Sequence, residues 1–173
     1  MEYEAAGKIV TPEMTVLDCA CGVGYGSHYL SGLAKNVVGI DCSREAITYA
    51  KTAYRAGNLS FIVGDARELP YQNGFFDAFV GIETLEHFSS PDKYLSEIHR
   101  VLKPGGLLFL STPDGDSNPH KGIHAVNDYH WHHYRKDELD MLIGKLFPTY
   151  RLTRDGMNGC CYRVTARKKA ARR

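Results

Sequence analysis

The sequence has no long apolar run and no excess of charge of either sign. None of its apolar segments approaches the roughly 20 residues that a membrane-spanning helix needs, so we expect no membrane partner. The 21 basic and 20 acidic residues of the 173-residue chain give a formal net charge of +1, which favours neither nucleic acid nor a membrane surface as the main partner. The first ten residues lack the basic and apolar regions of a signal peptide.

The cysteine pattern is also sparse. The chain has five cysteines, an odd number, and no pair has the C-x-x-C spacing. A disulfide framework is therefore not expected, and neither is a zinc site built on cysteines. This usage is typical of a reducing compartment, so we expect a cytoplasmic protein.

Apolar runs alternate with helical patterns through most of the chain. This β-α order predicts a parallel sheet with helices on both faces. Ser43 has the position and side chain of a helix N-cap. The predicted strands are 16–20, 37–41, 59–65, 76–82 and 107–112, and the predicted helices are 25–34, 43–57 and 92–102.

The C-terminal part has a different pattern. A helix is predicted over 135–147, and the segments 149–156 and 160–168 alternate polar and apolar residues. That alternation predicts an antiparallel hairpin that closes the sheet. With no repeat and no linker, we expect one domain over 1–173, ending in a solvated basic tail at 167–173.

A long loop is predicted between the fifth strand and the last helix. Residues 113–134 hold five histidines and an aromatic cluster but few aliphatic side chains. Long loops in compact domains are usually functional. We expect this loop to act as a substrate lid over the carboxyl ends of the fourth and fifth strands.

The first predicted strand runs into a glycine-rich turn, DCACGVGYG, from Asp18 to Gly26. Glycines at 22, 24 and 26 allow a sharp turn and a close approach to a ligand. The third glycine comes one residue early for the dinucleotide pattern G-x-G-x-x-G. Asp18 would repel a pyrophosphate, whereas it suits a ligand with a cationic group. Both features argue against a nicotinamide-dependent dehydrogenase.

Two further acids end the second and third predicted strands. Asp41 is placed to accept both hydroxyls of a ribose, and Asp65 is placed to accept from an adenine amino group. Each acid alone could merely cap a helix, but three at the carboxyl ends of successive parallel strands favour a ligand crevice. S-adenosylmethionine (AdoMet) carries an ammonium and a sulfonium group and no phosphate, so it fits this set of charges.

Five segments resemble, in order and spacing, the motifs of class I AdoMet-dependent methyltransferases. The resemblance covers about residues 3 to 112. It implies a Rossmann-like α/β fold with a seven-stranded, mostly parallel sheet, a C-terminal antiparallel hairpin and helices on both faces. Family members usually carry a longer N-terminal helical cap, so the cap is expected to be minimal here, or trimmed. The segments are VLDCACGVGYGSHYL, GIDCSREAI, FIVGDARELPY, FDAFVGIETLEHF and HRVLKPGGLLFLSTP.

The same resemblance implies a set of cofactor-binding residues. The two glycines at 22 and 24 would cradle the methionine end, Asp41 would bind the ribose, and Asp65 with Ala66 would lie at the adenine. The residues after the fourth strand would follow the methionine moiety. The full implied set is Asp18, Ala20, Gly22, Gly24, Asp41, Cys42, Asp65, Ala66, Ile82 and Glu83.

The stretch GIETLEHF, residues 81–88, adds a possible metal site. Its E-x-x-E-H pattern resembles the metal-binding sequence of the ubiquinone-biosynthesis O-methyltransferases and of the small-RNA 2′-O-methyltransferases. The implied ligands are Glu83, Glu86, His87 and, from the long loop, His130. On a helical turn the first three would share a face. A divalent cation there could lower the pKa of a substrate hydroxyl.

Two readings without a metal stay open. His87 or His130 could be a general base, with Glu86 beside it, since imidazole titrates near neutral pH. Alternatively, Glu86 and His87 could simply start a helix.

The predicted function is AdoMet-dependent O-methylation of a small molecule or sugar. One alternative is an RNA 2′-O-methyltransferase, which the basic tail favours and the near-zero net charge opposes. The other is an AdoMet-binding module without activity. A small-molecule acceptor is therefore the expected partner, and the sequence does not indicate an oligomeric state.

Overall fold

The computed structural model describes residues 2–117, 122–123, 129–155 and 161–170. The helices are α1 (Glu2–Gly7), α2 (Tyr25–Ser31), α3 (Arg44–Ala53), α4 (Asp92–Val101) and α5 (Lys136–Gly144), with a 3-10 turn at Leu85–His87. The strands are β1 (Thr15–Cys19), β2 (Asn36–Asp41), β3 (Leu59–Val63), β4 (Phe76–Ile82), β5 (Leu102–Pro113), β6 (Gly122–Ile123), β7 (His132–His133), β8 (Tyr150–Asp155) and β9 (Cys161–Arg167).

Seven of these strands form one sheet in the order β3-β2-β1-β4-β5-β9-β8. The pairs among β1 to β5 are parallel, whereas β9 runs antiparallel to both β5 and β8. This arrangement confirms the predicted mostly parallel sheet and its C-terminal hairpin. The predicted 113–134 loop contains one feature that the sequence did not indicate, a short ladder between β6 and β7.

Helices cover both faces of the sheet, and the strands alternate between the two cores. In β1, Val16 packs with Tyr3 and Leu30 of α1 and α2, whereas Leu17 packs with the core that holds α4 and α5. Successive residues of a strand point to opposite faces. A strand covered on both faces is apolar along most of its length, which explains why the sequence pattern of β1 is a continuous run.

The boundaries of α4 and β5 differ from the prediction. The segment 102–106, expected as a break, is instead the start of β5, with a register shift in its pairing to β4. Pro104 lacks an N–H and cannot continue a helix. The ammonium of Lys168 donates to the carbonyls of His99 and Leu102, at 2.6 and 2.7 Å. Part of the expected solvated tail is therefore a helix cap.

Helix α3 begins as predicted but ends early. The backbone N–H of Ala46 donates to the hydroxyl of Ser43 at 3.1 Å, the expected N-cap bond. At the other end Tyr54 is already extended, with φ −124°, and its ring stacks on His28. The helix therefore ends at Ala53, before the predicted end at Gly57.

None of the helices in the described part of the chain combines the length and the apolar composition that crossing a bilayer requires.

Helix α1 packs against the glycine-rich turn through polar contacts. The Tyr3 hydroxyl lies 3.2 Å from each carboxylate oxygen of Asp18, and Glu2 pairs with Arg163 of β9 at 2.7 Å. A Cβ at Gly26 would overlap the ring of Tyr3. The third glycine of the turn is therefore required by close packing against α1.

Replacing Gly26 by alanine is expected to destabilise the fold by about 1–3 kcal/mol, the usual cost of overpacking. The gain in helix propensity, about 0.5–1 kcal/mol, is too small to offset this. Urea denaturation measures the difference. Gly57→Ala is the matched control, because a Cβ there meets no atom within 4 Å, and it should change stability by less than about 0.5 kcal/mol. Equal stabilities of the two variants would contradict the packing argument.

Candidate functional site

A cleft of about 460 Å³ lies at the carboxyl ends of β1 to β4. This volume is within the range of small-ligand pockets, and the position is the one expected for ligands of open parallel sheets. Six of the ten predicted cofactor residues line it, together with His87. The lining is Cys19, Ala20, Ile40, Asp41, Cys42, Gly64, Asp65, Ala66, Arg67, Glu83, Thr84, His87 and Phe88.

The carboxylate of Asp41 is fixed in the cleft wall by two backbone donors. The N–H groups of Gly22 and Ser43 each donate to one of its oxygens, both at 2.8 Å. Each carboxylate oxygen can accept a further hydrogen bond. Gly22 has φ +54°, and a Cβ there would meet nothing within 4 Å. The glycine turn therefore leaves open space beside an acceptor pair that suits a ribose.

Two non-glycine residues in the described part of the chain have positive φ, and both line the cleft. Ala20 follows β1 with φ 59°, and Glu83 follows β4 with φ 48°. Residues held in this sparsely populated region cluster at functional sites, where the surrounding structure keeps them in place. The unusual backbone at the ends of two neighbouring strands therefore points to the same cleft.

Asp65 lies in the cleft wall and is paired with Arg67. The guanidinium donates to its carboxylate at 2.6 Å, and the Arg67 backbone N–H donates at 2.8 Å. The hydrogen bonds from Arg67 lower the pKa of Asp65. A ligand amino group at this position would share the carboxylate with Arg67, a residue that the sequence analysis did not single out.

Asp18 lies away from the cleft, contrary to the expectation that it faces a cationic ligand group. It is fully buried and accepts from the hydroxyl of Ser27 at 2.6 Å as well as from Tyr3. Burial raises its pKa to about 7. Asp18 shares the face of β1 with Val16, so its side chain points toward α1 and α2 and anchors them.

Two other predicted cofactor residues have packing contacts. Gly24 is the N-cap of α2 with φ 87°, and a Cβ there would lie 2.7 Å from Ala50 and Phe61. Ile82, at the end of β4, packs against the core beneath α1 and α2. Neither residue is part of the cleft wall.

The predicted helical turn across E-x-x-E-H does not form. The backbone of Glu83 is in the left-handed region, and only Leu85–His87 forms a 3-10 turn. Glu83 instead accepts from the hydroxyl of Ser111 at 2.9 Å, and burial raises the pKa of its carboxyl group.

A cluster of three of the four predicted metal ligands does form. One donor atom each of Glu86, His87 and His130 lies within 4.8 Å of the other two, and Glu83 is not part of this group. We call these three residues the acid–imidazole cluster.

Hydrogen bonds from the segment 129–133 hold the cluster. His87 Nδ1 lies 2.7 Å from the carbonyl oxygen of Tyr129, and the N–H of Trp131 donates to the carbonyl of Glu86 at 2.7 Å. A carbonyl can only accept, so His87 Nδ1 carries a hydrogen, and the neutral ring has its lone pair on Nε2. His130 Nδ1 lies 2.9 Å from His133 Nε2.

Glu86 is the buried member of the cluster, with no exposed surface. Its Oε2 accepts from the Thr112 hydroxyl at 3.0 Å, whereas its Oε1 is buried with no hydrogen-bond partner among the described residues. Burial, and then the nearby charge of Glu83, raises its pKa to about 8. A buried orphan oxygen needs a proton, a cation or a ligand donor to satisfy it.

Sequence reasoning missed several residues of the site. Ser111 and Thr112 hold the two glutamates, and His133 supports His130. A signal for the first pair was present, because they are polar residues that end an apolar strand at the edge where the other strands end. The pairing of His133 depends on the fold of the loop and has no such signal.

Residues 17–110 match the family model of a methyltransferase domain. The chain belongs to this family. Its sheet order and cleft identify the class I AdoMet-dependent methyltransferase fold, as the sequence motifs indicated.

Individual relatives agree with this family. The chain is 28% identical over 128 residues to a probable S-adenosylmethionine-dependent methyltransferase of Mycolicibacterium smegmatis, covering 74% of this chain and 49% of that protein. It is 34% identical over 110 residues to the fatty-acid O-methyltransferase of the same organism, covering 62% of this chain and 39% of that protein. The chain thus spans about half the length, or less, of these curated relatives.

A solved structure supports the fold over nearly the whole chain. The PH0226 protein of Pyrococcus horikoshii has a TM-score of 0.79 and 27% sequence identity, covering 96% of this chain and 87% of that one.

Replacing Glu86 by glutamine is expected to change how stability depends on pH. The usual pKa of 4.5 rises to about 8 in the folded chain, so between these values the folded protein keeps a proton that the unfolded chain releases. The contribution of this group to the free energy of unfolding therefore falls as the pH rises, by up to about 1.4 kcal/mol per unit. Glutamine does not titrate, so Glu86→Gln should gain stability relative to the parent from about pH 5 to about pH 8.

Denaturation at several pH values in the presence of a chelator measures this difference. Glu45→Gln, on the exposed start of α3, is the control and should give a curve parallel to that of the parent. A parallel curve for Glu86→Gln as well would show that Glu86 is not held protonated.

Proposed function

We propose that the chain binds AdoMet in the cleft and methylates a hydroxyl oxygen of a small molecule. One observation carries the proposal: His87 both lines the cleft and belongs to the acid–imidazole cluster. A group able to accept a proton therefore borders the space in which a methyl donor fits. Direct transfer needs in-line positioning and exclusion of water more than covalent help.

The cleft wall offers a partner for each polar part of the cofactor. Asp41 would accept from the ribose hydroxyls, Asp65 with Ala66 would border the adenine, and the carboxylate of Glu83 would pair with the ammonium. When bound, AdoMet supplies a methyl group on a sulfonium, which passes to the acceptor oxygen as S-adenosylhomocysteine (AdoHcy) is formed. The protein holds the two reactants in line.

The cluster provides the base. With Nδ1 bonded to the Tyr129 carbonyl, His87 would receive the acceptor's proton at Nε2. His130 lies beside it, and desolvation with the neighbouring imidazoles lowers the pKa of His130, which keeps this ring neutral near neutral pH. The two imidazoles and the carboxyl group of Glu86 can hold and orient a hydroxyl.

The donor set also fits a divalent cation. Glu86 has a buried oxygen that no group in the described part of the chain bonds, and His87 has its Nδ1 engaged elsewhere, as metal-ligating histidines commonly do. Glu86, His87 and His130 would hold the cation, which would act as a Lewis acid on the acceptor hydroxyl. Carboxylate and imidazole donors are compatible with Zn²⁺, Fe²⁺ or Mn²⁺. We favour the metal-free base because Glu83, the fourth predicted ligand, is bonded to Ser111 instead.

The name of one relative, a fatty-acid O-methyltransferase, supports an oxygen acceptor. An RNA acceptor is opposed by the net charge of +1, because phosphate contacts from basic residues dominate RNA affinity. A binding module without turnover would bind the cofactor yet form no AdoHcy with any acceptor.

Asp41→Ala is expected to weaken AdoHcy binding by about 1.5–3 kcal/mol, the range for hydrogen bonds to a charged group. The variant loses the ribose acceptor and releases the Gly22 N–H. Isothermal titration calorimetry measures the change, and Asp137→Ala, an exposed acid at the start of α5, should bind like the parent. Unchanged affinity in Asp41→Ala would mean that this residue does not hold the ribose.

His87→Ala is expected to lower the rate of AdoHcy formation by about 10²–10⁴-fold, the usual contribution of a general base, while AdoHcy affinity changes little. His130→Ala should also lower the rate. The assay follows AdoHcy with an acceptor found by screening hydroxyl compounds, and the parent should stay active in excess chelator. Loss of activity in chelator and its return with Mn²⁺ or Zn²⁺ would replace the base reading by the metal reading.

A further inference from the structure

Trp131 is the only tryptophan of the chain, and it is 56% exposed. Tryptophan is usually among the more buried side chains, because its large ring gains most from leaving water. Within the described residues no aromatic ring stacks on this indole. Next to His130 in the chain, Trp131 therefore presents an exposed indole that has no aromatic partner among the described residues.

The backbone that carries Trp131 is held in place. Its N–H donates to the Glu86 carbonyl at 2.7 Å, and two residues earlier the Tyr129 carbonyl accepts from His87 at 2.7 Å. The side chain of Tyr129 is 77% exposed. Two exposed aromatic side chains thus flank His130 on a segment bonded to the base-bearing turn. A preorganised aromatic surface lowers the entropic cost of binding a ring.

The chemistry of the cluster indicates which ring it would receive. A phenol is acidic enough, with a pKa near that of tyrosine, about 10, to need little help in losing its proton. A buried carboxyl group beside two imidazoles is more useful to an alcohol, which is far less acidic and hydrogen-bonds with polar side chains. The polar groups of the cluster therefore suit a hydroxylated, non-aromatic ring.

We propose that the acceptor is a saccharide whose ring stacks on Trp131 while one of its hydroxyls reaches the acid–imidazole cluster. This inference rests on the proposed function and adds Trp131 as the residue that determines acceptor specificity. It assigns the hydroxyl to His87 and the carbon-bound hydrogens of the sugar ring to the indole.

The single tryptophan makes binding visible without turnover. Protein saturated with AdoHcy would be titrated with methyl β-D-glucopyranoside, methyl β-cellobioside, catechol and sodium octanoate, while tryptophan emission is recorded. We expect emission to shift to shorter wavelength with the saccharides and to stay unchanged with catechol and octanoate. A shift with octanoate or catechol alone, or with none of the four compounds, would overturn the saccharide assignment.

Two substitutions separate ring stacking from general apolar contact. Any non-proline residue at 131 keeps the N–H bond to Glu86, so the turn is preserved. By calorimetry, Trp131→Tyr should keep most of the saccharide affinity, whereas Trp131→Leu should lose roughly 3- to 10-fold, the range of an aromatic contact. Equal saccharide affinity of Trp131→Leu and the parent would contradict stacking.

The same titrations separate this inference from the proposed function. AdoHcy affinity should be the same in Trp131→Tyr, Trp131→Leu and the parent, because Trp131 is not part of the cleft wall. Failure of AdoHcy to bind at all would reject the proposed function itself. Tight AdoHcy binding without a saccharide response would reject only the role of Trp131.

Discussion

The carboxylate of Asp41 connects the loop after β1 to the loop after β2. It accepts from the N–H groups of Gly22 and Ser43, and these loops lie side by side because Cys19 pairs with Ile40 in the parallel register. The strained Ala20 lies between the strand and the bonded glycine. Strain of this kind persists where surrounding contacts hold it, and the Asp41 bonds provide such contacts. This side chain therefore joins the two loops that border the cleft.

The acid–imidazole cluster lowers the stability of the fold, because it contains a buried carboxyl group. Glu86 is fully buried, and its Oε1 has no hydrogen-bond partner among the residues that the structure describes. A buried polar atom without a hydrogen bond costs about 1–3 kcal/mol. Natural proteins keep such costs where activity needs them. The bond between His87 Nδ1 and the Tyr129 carbonyl sets the tautomer of His87, and the bond from the Trp131 N–H to the Glu86 carbonyl ties the same segment to the turn.

Much of the fold could be predicted because the hydrophobic periodicity of the helices and strands agrees with the residues that begin and end them. Strand β4 has the predicted bounds of 76–82, and Ser43 caps α3 as its side chain suggests. The direction in which a polar side chain points from the sheet was harder to predict. Asp18 follows the alternation of β1 toward Tyr3 and Ser27, a direction that depends on which helices cover that face. Glu83 does not share a helical face with Glu86 and His87, because its backbone is left-handed. The sequence gives no sign of this conformation, since the residue is not a glycine.

The most direct test of the account is a crystal structure of the protein grown with AdoHcy. We expect the adenosine between Asp41 and Asp65, with the ribose hydroxyls on the Asp41 carboxylate. We also expect that the sulfur faces His87 and that the Gly22 and Ser43 bonds to Asp41 are preserved. A ligand bound elsewhere, or a sulfur turned away from the Glu86, His87 and His130 cluster, would contradict the claim that one cleft serves both cofactor and base.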